Sequence, residues 1–306
     1  ESALANNRYL TGRVAPGCVL FPLDGDPVIW SGFPHDVTKW GALAGGWVED
    51  VRSGQATTDN IIETLRDRGF TNAAIGVVGF GETRPRVIPE TVPFQQFSRI
   101  SSALDGARFV DAGWLIEQTR IIKGPEEIAC IRKSAELAKA MADALIASAR
   151  PGVRETEVYA DMLHANLHGG GEEDMIWISS GAVPPPHGKR PPASHRVLEA
   201  GDLLGYDTDL VGAYGMMVDI SRTLRAGGGS PTPDQQNVHA LAVEQIERNL
   251  ELLRPGASRH DLCHTAWMPP LDEYRHYCVL FHGVGQCDEY PEVVFPEAWD
   301  EWGFDA

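Results

Sequence analysis

Twice along this chain a long amphipathic helix pattern runs into a Pro-Gly pair, and a shorter helix pattern follows, then strands. In the first copy Pro125 stands in the opening turn with Glu126 and Glu127 behind it, which suits the positive end of a helix. Ile128, Ile131, Ala135, Ala138, Met141, Ala142 and Leu145 recur at helical spacing and predict the buried face. Pro151-Gly152 ends that helix, and a second is predicted from Glu155 to Leu167, stopping at Gly169-Gly170-Gly171. In the later copy a helix is predicted from Asp234 to Leu253, with Val238, Leu241, Ala242, Ile246, Leu250 and Leu253 inward. Arg254-Pro255-Gly256 closes it, and Ser258 and Asp261 read as the N-cap and acidic first turn of the next. PGVRETEV and PGASRHDL open corresponding helices, which points to an internal duplication. Strands are expected at residues 175–179, 203–210 and 213–220, and in the YCVLF run before His282.

Residues before about 115 alternate between strand and helix patterns. Cys18 to Pro22 and Val28 to Trp30 flank Asp24-Gly25, a hairpin signal. Thr58 to Arg68 reads as a helix with Ile61, Ile62 and Leu65 on one stripe. Ala73 to Val78 and Arg108 to Asp111 read as strands, and Thr83 to Phe97 as a Pro-rich loop. Trp30, Trp40 and Trp47 read as packing aromatics. The expected division is therefore an α/β amino-terminal domain over 1–117 and a catalytic domain over 118–306. The opening ESALANNRYLTG and the closing EAWDEWGFDA read as the interior of a longer protein, short of an element at each end.

The net charge is -17, with 43 acidic against 26 basic residues, which argues against a nucleic-acid surface built on clustered Lys and Arg. No run of eighteen apolar residues or basic amphipathic helix suggests membrane contact, and no leader pattern opens the chain, so a cytoplasmic setting is expected. The five cysteines are odd in number and widely spaced, with no Cys-x-x-Cys, so free thiols are expected rather than disulfides or a zinc knuckle.

Asp207 and Asp209 stand one residue apart in an apolar stretch, which on a strand puts both carboxylates on one face. Asp219 lies ten residues on, in the predicted returning strand. Burying carboxylates without partners is costly, so three on neighbouring strands call for an explanation. A pair of metal ions supplies one. His282, between apolar YCVLF and the glycines of His-Gly-Val-Gly, adds an imidazole suited to a mixed carboxylate–histidine set. Asp288 and Tyr277 are close enough in sequence to face the same pocket.

These segments resemble the pita-bread fold metallopeptidase family, which includes methionine aminopeptidase, Xaa-Pro aminopeptidase, prolidase and creatinase. The resemblance is carried by Arg120-x-x-Lys123-x-Pro125-x-Glu127, Pro151-Gly152-Val153-x-Glu155, Gly201-Asp202-Leu203, Asp219-Ile220-Ser221-Arg222-Thr223 and His282-Gly283-Val284-Gly285 with Pro291. Arg8-Tyr9-Leu10-Thr11-Gly12 and Ile75-Gly76 resemble the amino-terminal domain of the creatinase and prolidase subgroup. The implied fold is α/β (α+β), a creatinase-like amino-terminal domain followed by a pita-bread domain of duplicated helix–strand units.

Two departures bear on the chemistry. The peptidases carry one aspartate where Asp207 and Asp209 flank Thr208, and a histidine where this chain has Asp288. Both departures resemble the family's dimethylsulfoniopropionate lyase branch, the DddP type. That resemblance implies two divalent ions, iron first, with zinc, manganese or cobalt as alternatives, held by Asp207, Asp209, Asp219 and His282. It implies Asp288 as general base with Tyr277 as a second catalytic residue, a pocket of Tyr277, Trp177 and His187, a small zwitterionic substrate and a homodimer. The expected reaction is β-elimination to dimethyl sulfide and acrylate. The alternatives are Xaa-Pro peptide hydrolysis, or a non-enzymatic protein that kept the fold. The family's last two ligand glutamates are expected beyond residue 306, in which case the chain alone would be weakly active.

Overall fold

The computed structural model describes residues 5–12, 17–31, 46–53, 57–80, 91–173, 176–184, 192–270, 273–274 and 279–296. The chain divides into two compact units, Glu1–Ile122 and Lys123–Ala306.

In the first unit, helix α1 (Ala5–Thr11) precedes strands β1 (Gly17–Leu20), β2 (Val28–Ser31) and β3 (Asp50–Ser53), which form a sheet in that order. β1 and β2 are antiparallel around Asp24-Gly25, where Gly25 has φ 94°, and β3 joins parallel to β2. Helix α2 (Thr57–Asp67), strand β4 (Ala74–Val77), helix α3 (Phe94–Ala103), strand β5 (Arg108–Asp111) and helix α4 (Gly113–Ile121) follow, with β4 and β5 paired in parallel. Val28, Trp30, Ile61, Leu65 and Leu104 form the core. Trp30 packs as expected and donates Nε1–H to Asn60 Oδ1 at 2.6 Å. Trp47 is more than half exposed, and Trp40 lies outside the described residues. Helix α3 corrects the expectation of loop through Phe97: a polar run, FQQFSRISSA, folds as a helix immediately after Pro93.

In the second unit, helix α5 (Pro125–Ser148) starts as its sequence predicts, with the Gly124 N–H donating to the Glu127 carboxylate at 2.7 Å. Its buried face runs through Ser134, Leu137, Ala138, Met141, Leu145 and Ser148, so Leu137 replaces Ala135 and Ile128 is exposed. Helix α6 (Glu155–His168) follows, then strands β6 (Ile176–Gly181), β7 (Leu203–Val211) and β8 (Met217–Arg225), an antiparallel sheet in that order. Even-numbered positions of this sheet face the helices: Ile176, Ile178, Leu204, Tyr206, Leu210 and Val218 share a core with Met141, Leu145, Val158 and Met162. Each fully buried apolar side chain there contributes roughly 1.5–3 kcal/mol. β8 begins four residues later than expected. Residues 213–215 form a short 3-10 turn with Tyr214 at φ 53°, and Ser134 Oγ fastens it by accepting from Ala213 N (3.0 Å) and donating to Met216 O (2.7 Å).

Helix α7 (Pro233–Leu250), helix α8 (Arg259–Thr265) and strands β9 (Val279–Val284) and β10 (Asp288–Val294) repeat the helix–helix–strand order. Ser258 and Asp261 form the predicted capping box. The predicted inward face of α7 is corrected: Val238, Ile246, Leu250 and Leu253 are about half exposed or more. The one buried residue of α7 is Asn249, whose amide holds Trp267 through both N–H (2.8 Å) and carbonyl (3.0 Å). Helical period shows which face is apolar, and packing decides whether another element covers it.

A buried polar network fastens the segment that leads into β7. The Glu155 carboxylate, at the start of α6, accepts from Ser180 Oγ (2.6 Å), Ser194 N (3.0 Å) and Ser194 Oγ (2.6 Å). Arg196 donates to Ser180 Oγ (2.8 Å) and forks onto Asp202 at 2.6 and 3.2 Å. The Arg196 hydrogen bond, more than the Glu199 N–H, holds the Asp202 carboxyl below its ordinary value, against the cost of burial. A depressed folded value means the stabilisation is complete above the unfolded carboxyl value near pH 4 and is lost as pH falls through the folded one. Asp202→Asn is therefore expected to lower the unfolding free energy by roughly 1–2 kcal/mol near pH 7, a figure discounted for the part-exposed Arg196. The gap between variant and parent should close in acid below about pH 4. Urea titrations at pH 7 and pH 3 check this, and a gap that does not narrow would refute it.

Among the described residues no helix is long and apolar enough to cross a membrane. Among the described residues Cys18, Cys130, Cys263 and Cys287 form no disulfide, and of these Cys263 alone is buried.

Candidate metal centre

The odd-numbered face of the β6-β7-β8 sheet, opposite the helix-facing core, carries the predicted carboxylates. Asp207 and Asp209 alternate with the buried Tyr206, Thr208 and Leu210 along β7. The β7–β8 register sets Asp209 directly opposite Asp219 and Asp207 opposite Ser221. Ser221 Oγ donates to Asp207 Oδ1. On the other flank Trp177 pairs with Asp207, so the indole, the carboxylate and the Ser221 hydroxyl form one row across three strands.

β9 delivers His282. Its Nε2 stands 2.9 Å from Asp219 Oδ2 and its Nδ1 stands 3.0 Å from the Gly283 carbonyl. Both side chains are largely buried, His282 at 11% and Asp219 at 20% exposure. The β9–β10 turn is docked on β8 by Met217 N–H donating to Gly285 O at 2.6 Å, two residues before Asp219. Gly285 leaves room there for the Glu289 carboxylate, since a Cβ at that position would lie 2.0 Å from Glu289 Oε1 and the carboxylate would have to move. Glu289 is buried and pairs with Lys123 Nζ at 2.5 Å, so the foot of helix α5 holds the far side of the same turn.

The structure thus brings Asp219 and His282 into contact and places Asp207 and Asp209 on the same sheet face. Among the described residues no group of three or more His, Cys, Asp or Glu side chains is gathered closely enough to hold a metal ion. Asp288 opens β10 opposite Val284 in the backbone register. Tyr277 and His187 lie outside the described residues. Trp177 is part-buried beside Asp207. Sequence reasoning missed Ser221, Glu289 and Lys123 as supports. A one-row shift of reading along β8 would have found Ser221, whereas the other two pair across 166 residues with no local signal.

The surroundings of the His282 imidazole suit a cation. A carbonyl faces Nδ1 and a carboxylate faces Nε2, and both are acceptors. A neutral imidazole has one N–H to give, so the second nitrogen presents its lone pair to an acceptor. Metal-ligating histidines commonly donate one ring N–H to a carbonyl and turn the other nitrogen to the ion, with a carboxylate beside it. The residues present fit that pattern.

The profile of metallopeptidase family M24 matches residues 129–301. The chain is similar to the dimethylsulfoniopropionate lyase DddP of Roseovarius nubinhibens, 34% identical over 204 residues, which is 63% of this chain and 44% of that protein. It is similar to the Xaa-Pro dipeptidase of Pyrococcus furiosus, 33% identical over 188 residues, 58% of this chain and 52% of that one. The chain therefore spans about half the length of the curated relatives it matches. The X-Pro aminopeptidase from Thermotoga maritima has a like structure, with a TM-score of 0.75 at 23% identity over 96% of this chain and 80% of that chain. At that identity the likeness bears on the fold, which is the α/β pita-bread arrangement expected from the sequence.

Proposed function

Because the chain belongs to metallopeptidase family M24, we propose that it is a metal-dependent enzyme acting on a small carboxylate-bearing substrate at the face of β6-β7-β8. The observation that carries this reading is the His282 imidazole set between two acceptors, one of them Asp219. Asp207, Asp209, Asp219 and His282 would hold the ions, and oxygen donors with one imidazole suit iron, manganese, zinc or cobalt. Bound divalent ions supply Lewis acidity, drawing charge from a carbonyl or carboxylate of the substrate.

Two reactions share this site. Hydrolysis of an Xaa-Pro bond adds water across the amide and yields an acid and the proline amine. It has the broader support, since dipeptidase relatives match by sequence and X-Pro peptidases by fold. Elimination from dimethylsulfoniopropionate is a second reading that a specific feature favours. The Asp207-Thr208-Asp209 pair and Asp288 depart from the peptidase pattern in the manner of the lyase branch, and two lyases stand among the relatives at 34% and 32% identity. In this reading Asp288 takes the α-proton, the C–H electron pair becomes the new double bond, and the C–S bond breaks. Neutral dimethyl sulfide departs and acrylate remains. Trp177 offers an aromatic face to the sulfonium, a cation that needs no formal negative charge to be held. Tyr277 would join Trp177 in that lyase pocket, and His187 would line it. The homodimer and cytoplasmic setting belong to the same proposal.

Supplying the metal-loaded protein with Gly-Pro and, separately, with dimethylsulfoniopropionate decides between them. Free proline without dimethyl sulfide establishes the peptidase. Headspace dimethyl sulfide without dipeptide cleavage establishes the lyase, and neither product, with no bound metal on elemental analysis, rejects the enzyme.

A further inference from the structure

Two adjacent serines at the end of β6 point to opposite faces of the sheet, and they differ in their partners. Ser180 faces the helices and is bonded to Glu155 and Arg196. Ser179 has the parity of Trp177, which stands opposite Asp207, and so lies on the carboxylate face, away from the core that holds Ile176 and Ile178. It is 3% exposed, and among the described residues its Oγ has no hydrogen-bond partner. Its cross-strand neighbour on β7 is Gly205, so that strand puts no side chain beside the hydroxyl. Thr223, beyond Gly205 on β8, is exposed and keeps that row polar.

A buried hydroxyl left without a partner is destabilising, and proteins keep few of them. Of the four buried side-chain atoms in this condition, Tyr206 Oη lies on the core face, Asn166 Oδ1 belongs to an amide already anchored through its nitrogen, and Gln286 Oε1 lies in the β9–β10 turn. Ser179 Oγ is the one on the strand face that carries Asp207 and Asp209, one row from Trp177. Same-face diagonal neighbours on a sheet are about 7–8 Å apart, roughly the span of a small carboxylic acid.

We propose that Ser179 is a substrate-binding residue in the peptidase reading: its hydroxyl donates to the carboxylate of an Xaa-Pro dipeptide whose scissile carbonyl lies at Asp207 and Asp209 and whose middle lies along Trp177. This rests on the enzyme reading above and adds a polar contact that sets the length of the substrate. A hydroxyl donor to a carboxylate also explains why the hydroxyl is kept at a buried position where alanine would pack without cost.

The test separates binding from folding. In Ser179→Ala, KM for Gly-Pro is expected to rise about five- to thirty-fold with kcat little changed, and the thermal midpoint should hold or rise. A hydroxyl with a structural role would lower the midpoint, and that result overturns the proposal. An unchanged KM overturns it too. Should the parent not cleave Gly-Pro, the peptidase reading fails, and Ser179 is judged by calorimetric titration of metal-loaded parent and variant with proline. Saturable binding by the parent that weakens in the variant supports the assignment. No binding by the parent, or equal binding by both, overturns it.

Discussion

Replacing Asp219 with alanine is expected to lower kcat/KM by more than a hundredfold and to reduce bound metal, with a small effect on the folded state. The argument is geometric. Asp219 Oδ2 is the atom that His282 Nε2 faces at 2.9 Å, and Asp209 stands directly across the ladder from it. Losing a residue that only orients a metal ligand costs about ten- to a hundredfold in affinity or activity, so losing a ligand should cost more. Asp219 is one-fifth exposed and contributes no apolar packing, so the fold has little to lose. Leaving His282 with its Gly283 carbonyl contact also keeps the imidazole oriented. Elemental analysis alongside kinetics and a melting curve checks the three parts together. A variant that keeps its metal and its rate would remove Asp219 from the centre and, with it, the reading of this sheet face as a metal site. The same change at Asp209 should act in the same direction, because the two carboxylates share one cross-strand pair.

The sheet that bears this face was legible because its signal is local. The apolar-polar alternation of LLGYDTDLV leaves Asp207 and Asp209 on the side away from the core, and a return strand ten residues on had to bring Asp219 beside them. Alternation has a period of two, so a register error of one would have buried three carboxylates against Met141 and Leu145. The start of β8 was less legible. Tyr214 at positive φ carries no glycine signature, and a tyrosine between Ala213 and Gly215 reads more naturally as strand. The α7 stripe failed for a different reason: Val238, Ile246 and Leu250 keep helical spacing whether or not another element lies on them. Helix α3 was hidden by its polarity and by the prolines before it. Least legible were the long-range pairs. Nothing near Lys123 announces Glu289, and nothing near Ser179 announces that its hydroxyl lacks a partner, since both are facts of assembly and not of local pattern.

That buried pair carries the second large effect. Glu289→Ala is expected to destabilise the protein by roughly 3–5 kcal/mol, because it removes the carboxylate that the largely buried Lys123 ammonium pairs with. An exposed ion pair would cost about 1 kcal/mol or less. The two side chains are only 15% and 7% exposed, which places them in the costly class. Removing both charges, as Lys123→Met with Glu289→Leu, should recover most of the loss, since apolar replacements of a buried pair are often neutral or better. Urea unfolding of Lys123→Met, Glu289→Leu and the double variant closes the cycle, and the coupling is read as the departure from additivity. Additive losses would mean that the two residues act independently and that the pair is incidental. The functional consequence follows from where the pair sits. Glu289 packs against Gly285, Gly285 accepts from Met217, and Met217 begins the strand that presents Asp219. The double variant therefore separates the two roles of the pair: with stability restored, metal affinity that stays low would show that the charges position the His282 turn, whereas restored affinity would show that filling the space beneath that turn is enough.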